Sequence, residues 1–380
     1  MTVSRRKFLS LVGGGTILAA SAGLGWTATR PLQTALKPWD LAGQYDDPRM
    51  NALSFALLAP NPHNRQPWMV DLSTPDEVTL YCDTDRVLPH TDPFSRQITI
   101  GLGCFLEVMR MAAAQDGFGV DLDLFPEGSD GTALDGRPIA RAKFVAGAGA
   151  PDPLFAYVMQ RRSTKEPYDL SRTVSPQAVA TVEAAALNGG ITGSTVAEED
   201  IDDLRDLTLR ALIIETETPH TYKESVDLFR IGRKEVDTNP DGIDFSGPFF
   251  ELARTVGVLN RDNALDTNST VYRGGIDYIT ENSMTAMGYV WLLSNGNTRA
   301  DQINAGRDWV RMNLAATSIG LAMQPMSQAL QEYPEMAVEY AEIHNRLAPG
   351  GETVQMLARV GYGPDVAPSP RWTLENKIIA

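Results

Sequence analysis

Hydrophobic and polar positions alternate with two periods along the chain, and most elements are legible from them. Met50, Leu53, Phe55, Ala56 and Leu57 give a partly apolar face that predicts a helix over 48–58, stopped by Pro60-Asn61-Pro62. Strands are expected over 68–72 and 78–82, divided by a Ser-Thr-Pro-Asp turn. Asp92-Pro93 opens a long helix over 95–115, ended by Asp116-Gly117. Strict alternation over 120–124 and 139–145 predicts two more strands, and Gly-Ala-Gly-Ala-Pro at 147–151 reads as a linker. The remainder is more helical, with helices expected over 152–162, 175–187, 199–214 and 219–233. A stretch rich in Gly, Asp and Asn over 237–268 is too long for a routine connection. A buried strand over 288–293, a helix over 304–319, a helix over 327–346 opened or bent by Pro334, and a strand over 354–360 complete the pattern.

Two of these helices resemble each other. The stretch 107–120 aligns without a gap with 308–321, at an offset of 201 (311 minus 110), so that Arg-Met, Ala and Gly positions coincide. Each is a helix that ends in glycine and feeds a strand, and small residues on one face suit close helix packing. Chance similarity between two Ala-rich helices is the competing reading.

Composition narrows the classes. Over 380 residues, 43% are hydrophobic and 21% charged, a globular profile. A net charge of -15 argues against non-specific binding to nucleic acid or anionic membranes, so a local cluster of arginines stands out. Cys82 and Cys104 are the only cysteines and the four histidines are scattered, so no metal-ligand spacing exists. The two cysteines read as buried small hydrophobes, with a disulfide as the alternative.

Ser4-Arg5-Arg6-Lys7-Phe8-Leu9 precedes a short, Gly-rich apolar run and Ala20-Ser21-Ala22, a small-x-small site. This resembles a twin-arginine signal over 1–28, and an amphipathic tail is the alternative. The resemblance implies export in the folded state to the periplasm or cell envelope, membrane contact only through that segment, and a raised expectation of a cofactor loaded before export.

Two stretches carry chemistry. Ala59-Pro60-Asn61-Pro62-His63-Asn64-Arg65-Gln66-Pro67-Trp68 lies between a helix and a strand. Its prolines fix the backbone, and Asn61, Asn64 and Gln66 offer amide donors and acceptors suited to the edge of a planar heterocycle. An ordinary capped loop is the competing reading. Gln160-Arg161-Arg162-Ser163-Thr164-Lys165-Glu166-Pro167-Tyr168-Asp169 gathers three cations and two hydroxyls within five residues. Arginine forks bind phosphate bidentately. The glycines of a P-loop are missing, and a solvated helix end is the alternative.

Together these stretches resemble the nitroreductase family of FMN-binding proteins. Arg161-Arg162-Ser163-Thr164-Lys165 before Pro167-Tyr168 is similar to its FMN-phosphate segment. Asn64-Arg65-Gln66-Pro67-Trp68 is similar to the segment contributed by the partner subunit. Gly320 to Gln328, with Pro325, resembles the strand whose following backbone meets the ring, and Pro370-Arg371 resembles the last phosphate ligand. These span about 47 to 375. The order of the two main segments is reversed relative to ordinary members, which is what the fused, tandem-repeat branch shows.

The resemblance implies an α+β, nitroreductase-like fold of two fused halves, 40–150 and 151–380. They would form an intramolecular pseudo-dimer with mixed or antiparallel sheets on central helices. It further implies one FMN per chain in a monomer. Arg161, Ser163 and Arg371 would hold the phosphate, and Arg162 would lie along the ribityl chain. Lys165 would sit near N1 and O2, where a cation favours the reduced, anionic ring. Asn61, Asn64 and Gln66 would come from the other half. Pro325 and the backbone of Ser327 and Gln328 would lie at N5, although the family has acidic and glycine residues there. His63 contacts ring or substrate, or is a bland loop histidine. No side chain is needed as a nucleophile and no metal is implied.

The implied activity is hydride transfer through FMN from a small-molecule donor to an electron-poor acceptor such as a quinone or nitroaromatic. Two readings stay open beside it: an FMN-binding or storage protein with 237–268 as a lid and little turnover, and an exported protein without flavin.

Overall fold

The computed structural model describes residues 32–380, so the expected leader over 1–28 lies outside the described residues. Two four-stranded antiparallel sheets flank a pair of long helices. The first sheet has the order β1 (Trp68–Asp71), β2 (Glu77–Cys82), β4 (Ala140–Ala146), β3 (Phe118–Leu124). The second has the order β5 (Ile191–Thr195), β8 (Gly288–Ser294), β10 (Thr353–Gly361), β9 (Ala322–Pro325). Both therefore follow one plan, in which the strand after the long helix ends at the far edge. A parallel pair, β6 (Phe229–Ile231) and β7 (Ile243–Phe245), stands apart.

The long helices α3 (Arg96–Gln115) and α11 (Arg299–Ser318) cross in the core because glycine removes the side chains from the contact. A Cβ on Gly103 would stand 2.1 Å from the Ile303 carbonyl oxygen, and one on Gly306 would stand 1.9 Å from that of Ile100. The Cys104 thiol donates to the Gly306 carbonyl at 3.1 Å. Cys82 and Cys104 are both free and buried. Although α3 is long and apolar enough to cross a membrane, it is packed into this core.

The reciprocal contacts Gly103 to Ile303 and Gly306 to Ile100 correct the offset read from sequence. Only a shift of 203 (306 minus 103, and 303 minus 100) exchanges them, and it also superimposes the helix bounds, 96 on 299 and 115 on 318. Gly117 and Gly320, which close the two helices at φ 83° and 69°, fall on each other at the same shift. The glycine that brings the backbones together, not the run of alanines, fixes the register.

Short helices cover the outer faces: α1 (Lys37–Leu41), α2 (Pro48–Ala56) and α4 (Pro176–Glu183). Between β5 and β8 the chain inserts α5 (Glu198–Glu217), α6 (Pro219–Asp227), α7 (Arg233–Thr238), α8 (Pro248–Thr255), α9 (Arg261–Leu265) and α10 (Thr270–Ser283). The excursion expected over 237–268 thus holds β7 and two helices. The helix expected over 219–233 breaks after α6, and Gly232, at φ 84°, separates β6 from α7. The helix expected over 152–162 is a single 3-10 turn, Pro153–Tyr157, after which the chain runs without regular structure through Lys165. Two 3-10 turns, Gln328–Leu330 and Pro334–Met336, precede α12 (Ala337–Leu347), so Pro334 delays the helix expected from 327. The supposed linker at 147–151 is pinned instead, since Gly147 and Gly149 both donate to the Gly117 carbonyl.

Helix α11 starts five residues earlier than its periodicity predicts, because Thr298 and Asp301 form a reciprocal capping box. Replacing Thr298 with Ala should lower stability by about 1 kcal/mol in urea unfolding. An unchanged midpoint would show that the cap contributes nothing.

Candidate functional site

The loop after α2 is held in a conformation that its residues resist. His63, Asn64 and Gln66 have φ of 46°, 52° and 52°, a left-handed region costing non-glycine residues roughly 1–2 kcal/mol each. Contacts from distant parts of the chain impose it. Arg371 donates to Asn64 Oδ1 at 2.6 Å, and Asn64 Nδ2 donates to the Pro370 carbonyl at 3.0 Å. Lys377 Nζ donates to the Gln66 carbonyl at 2.7 Å. Behind the loop, a Cβ on Gly101 of α3 would lie 3.1 Å from Asn61 Cβ, so the bare helix surface lets the loop sit close.

Three arginines converge beneath this loop. Arg161 is 5% exposed and donates to Asn313 Oδ1 on α11 and to the Leu58 carbonyl. Arg371 is 3% exposed and donates to the carbonyls of Leu57, Leu58 and Ala59. The Arg162 guanidinium lies 4.8 Å from the Trp39 ring centre, with that of Arg371 at 5.9 Å. Among the described residues, none of the three forms an ion pair with a carboxylate. Burial pushes Arg371 down to about 9, and repulsion from Arg161 and Arg162 adds to it. Burial likewise lowers Arg161 to about 10. Buried cations that face one another without a counter-charge form an incomplete arrangement, which an anion would complete.

The second end of the site lies at Lys165, four residues on and therefore at most ~14 Å along the chain. Thr164 N donates to the Met323 carbonyl, which docks this segment beside β9. Lys165 keeps exposed surface, yet surrounding protein lowers its pKa, the combination expected of a group that lines a cleft. His63 is lowered to about 4 by burial, then by the charges of Lys165 and Arg65. Lys165 also interacts electrostatically with Glu215 of α5, 7% exposed, which accepts from Gln331 Nε2 at 2.8 Å. His63 Nδ1 and Gln331 Oε1 are buried without a hydrogen-bond partner among the described residues. Pro325 pairs with Ala358 at the end of β9, and Ser327 stands at the N-terminal boundary of the following 3-10 turn without a capping hydrogen bond from its side chain. The first N–H groups of such a turn have no partner within it.

The structure therefore brings the 161–165 segment, Arg371 and the 61–66 loop together, with Ser163 half-buried between the arginines and Lys165. It corrects one assignment. Gln66 is fully buried; its Nε2 donates to the carbonyls of Pro240 and Asn64 and its Oε1 accepts from Trp372 N, so its amide positions the loop and offers no exposed surface to a ligand. The Asn61 and Asn64 amides also have protein partners, although both residues stay half-buried. Sequence reasoning missed Trp39, Asn313, Gln331 and Glu215. For Glu215 a signal existed: helical spacing places it on the stripe of Leu204, Thr208, Ala211 and Leu212, which is a buried face.

No family model matches the chain. It is 26% identical over 331 residues to the Mycobacterium tuberculosis H37Rv protein "Putative NAD(P)H nitroreductase acg", covering 86% of this chain and 93% of that one. It is 25% identical over 343 residues to "Putative NAD(P)H nitroreductase Rv3131" from the same organism, covering 86% and 89%. The likeness is to nitroreductase-type proteins. Among solved structures, the FMN-dependent nitroreductase NfnB from Mycobacterium smegmatis in complex with NADPH is 16% identical, with 57% and 92% coverage and a TM-score of 0.36.

The chain carries a different arrangement at the place related by the helix pair. Ala185 follows α4 as Leu58 follows α2, and its carbonyl accepts from Arg311. There, however, Arg311 is paired with Glu107 and Asp152, and Arg307 with Glu107. Those cations, with Arg110 also on Glu107, already have carboxylate partners within the protein.

Proposed function

We propose that this chain is an exported FMN-dependent oxidoreductase of the nitroreductase type, with one FMN between two fused, related halves. The convergence of Arg161, Arg162 and Arg371 without a carboxylate, at one end of the segment that leads to Lys165, carries the reading. These residues fit a phosphate-bearing cofactor, and the orphaned His63 Nδ1 and Gln331 Oε1 fit a polar ring edge. Arg161, Ser163 and Arg371 would hold the phosphate, Arg162 the adjoining chain, and Lys165 the ring end. Asn61 and the backbone of Ser327 and Gln328 would border it. When bound, FMN supplies hydride transfer between a nicotinamide donor and an electron-poor acceptor such as a quinone or nitroaromatic. The protein's part is to bind, to orient and to set local charge. The paired state of Arg307 and Arg311 supports one site and not two, and the shared strand order supports a tandem origin in a monomeric pseudo-dimer.

An absorption spectrum of purified full-length protein tests this. Bound flavin is expected, and Arg161→Ala should release it, since a charge-assisted bond worth ~1.5–3 kcal/mol corresponds to roughly 10- to 150-fold in affinity. Unchanged retention in the variant would remove Arg161 from the site. Protein that stays colourless with added FMN would favour an exported protein without flavin. The leader resembling a twin-arginine signal supports export, which a Lys-Lys replacement of Arg5-Arg6 should block.

One observation favours a second reading, FMN storage beneath a lid. The inserted segment reaches over the loop: Gly242 N donates to the Asn64 carbonyl, and Asp237 accepts from the backbone of Gln33, Thr34 and Ala35. Bleaching by NADH or NADPH and reoxidation by menadione would favour the enzyme. Slow exchange without bleaching would favour storage.

A further inference from the structure

A buried carboxyl that the reading above does not use stands at the Lys165 end of the cleft. Glu215 belongs to the last turn of α5, in the segment inserted between β5 and β8, and it is hydrogen-bonded to Gln331. Lys165, which has no ion-pair partner within salt-bridge distance among the described residues, shares an electrostatic interaction with Glu215. From α6, Glu224 repels it, and Tyr333 stands beside it with the His220 ring 6.1 Å from the tyrosine ring. Among charged groups facing Glu215, only Lys165 favours its ionised form, and it is opposed by burial and by Glu224.

Resting on the FMN assignment, we propose that Glu215 is a positioning residue that sets the charge of the cofactor's ring end by gaining and losing one proton beside Lys165. When Glu215 is neutral, the Lys165 cation acts alone and favours whichever redox form of the ring carries more negative charge. When Glu215 is ionised, it offsets Lys165 and that preference weakens. Burial, with a contribution from Glu224, raises Glu215 to about 7, which puts the change in the neutral range.

The sign follows from linkage. Negative charge on the ring raises the affinity of Glu215 for its proton, so reduction is accompanied by proton uptake at this carboxyl. Between its pKa in the two redox states, each pH unit then weakens the preference for the reduced form up to tenfold, which is ~30 mV for a two-electron couple. Below and above that window the extra slope vanishes.

The test is the midpoint potential of bound FMN against pH in wild type, Glu215→Gln and Lys165→Met. Taking differences between proteins cancels the pH dependence of the cofactor itself. The expected result is an extra fall in wild type near neutral pH, absent from Glu215→Gln, whose potential at high pH lies above wild type. Lys165→Met should lower the potential throughout and move the break to higher pH. A break that persists in Glu215→Gln would overturn the proposal while leaving the cofactor assignment intact. Failure of wild type to take up FMN would instead overturn that assignment.

Discussion

Gly306→Ala is expected to destabilise the protein by about 3 kcal/mol or more, the upper part of the range for overpacked cores. The added methyl carbon would lie 1.9 Å from the Ile100 carbonyl oxygen and crowd Gly103 Cα at 2.9 Å, so the two helix backbones must separate. Backbone cannot rotate aside as a flexible side chain can. The melting temperature should fall by roughly 4 °C. Gly275→Ala is the matched control, because its Cβ would meet nothing within 4 Å. There the alanine should be neutral or slightly stabilising through helix propensity. Equal losses in the two variants would show that the crossing is not the constraint.

The crossing also governs the site. Helix α11 presents Asn313 to Arg161, and α3 supports the loop at Gly101. Moving the helices apart therefore moves the arginine end from the loop that covers it. A Gly306→Ala protein that still folds at low temperature should bind flavin more weakly than wild type.

The sequence was most informative where chemistry demands particular residue types. The 59–68 loop and the 160–169 segment were visible as dense clusters of prolines, amides and cations, and in the structure Arg371 donates to Asn64 of the first and shares the Leu58 carbonyl with Arg161 of the second. Trp39 and Asn313 were invisible, because nothing local distinguishes a tryptophan or asparagine that meets its partner more than a hundred residues away. Strand β5 is partly exposed and short, and Gly193 interrupts its alternation. The register of the helix pair was legible but misread. At the shift of 203, Arg96 meets Arg299, Gly103 meets Gly306, and Met109 meets Met312. Ala-rich stretches gave a rival alignment at 201, and only close approach of the backbones decides between them. Gln66 shows a different error: it was read as a ligand-facing amide, but a fully buried amide serves the loop.

Arg371→Met should separate the stability of the folded chain from the binding of an anion. Burial and the neighbouring arginines depress the pKa of Arg371 in the folded state to about 9, well below the ordinary guanidinium range. A basic group with a lowered folded-state pKa destabilises the fold while it is charged, and stability recovers as pH rises from about 9 toward the unfolded value. At neutral pH the flavin-free protein therefore carries this penalty, and an anion between the arginines offsets it. Inorganic phosphate should raise the melting temperature of flavin-free wild type, by the mass-action rule that gives ~2.7 kcal/mol at a hundredfold excess over Kd. In Arg371→Met the same phosphate series should give a much smaller rise, and FMN affinity should fall by roughly tenfold to a hundredfold or more. The variant also loses donors to the carbonyls of Leu57, Leu58 and Ala59, so its baseline stability alone decides nothing. The difference in phosphate response does. Equal stabilisation of both proteins would place the anion elsewhere and remove the central support for a phosphate-bearing cofactor at this site.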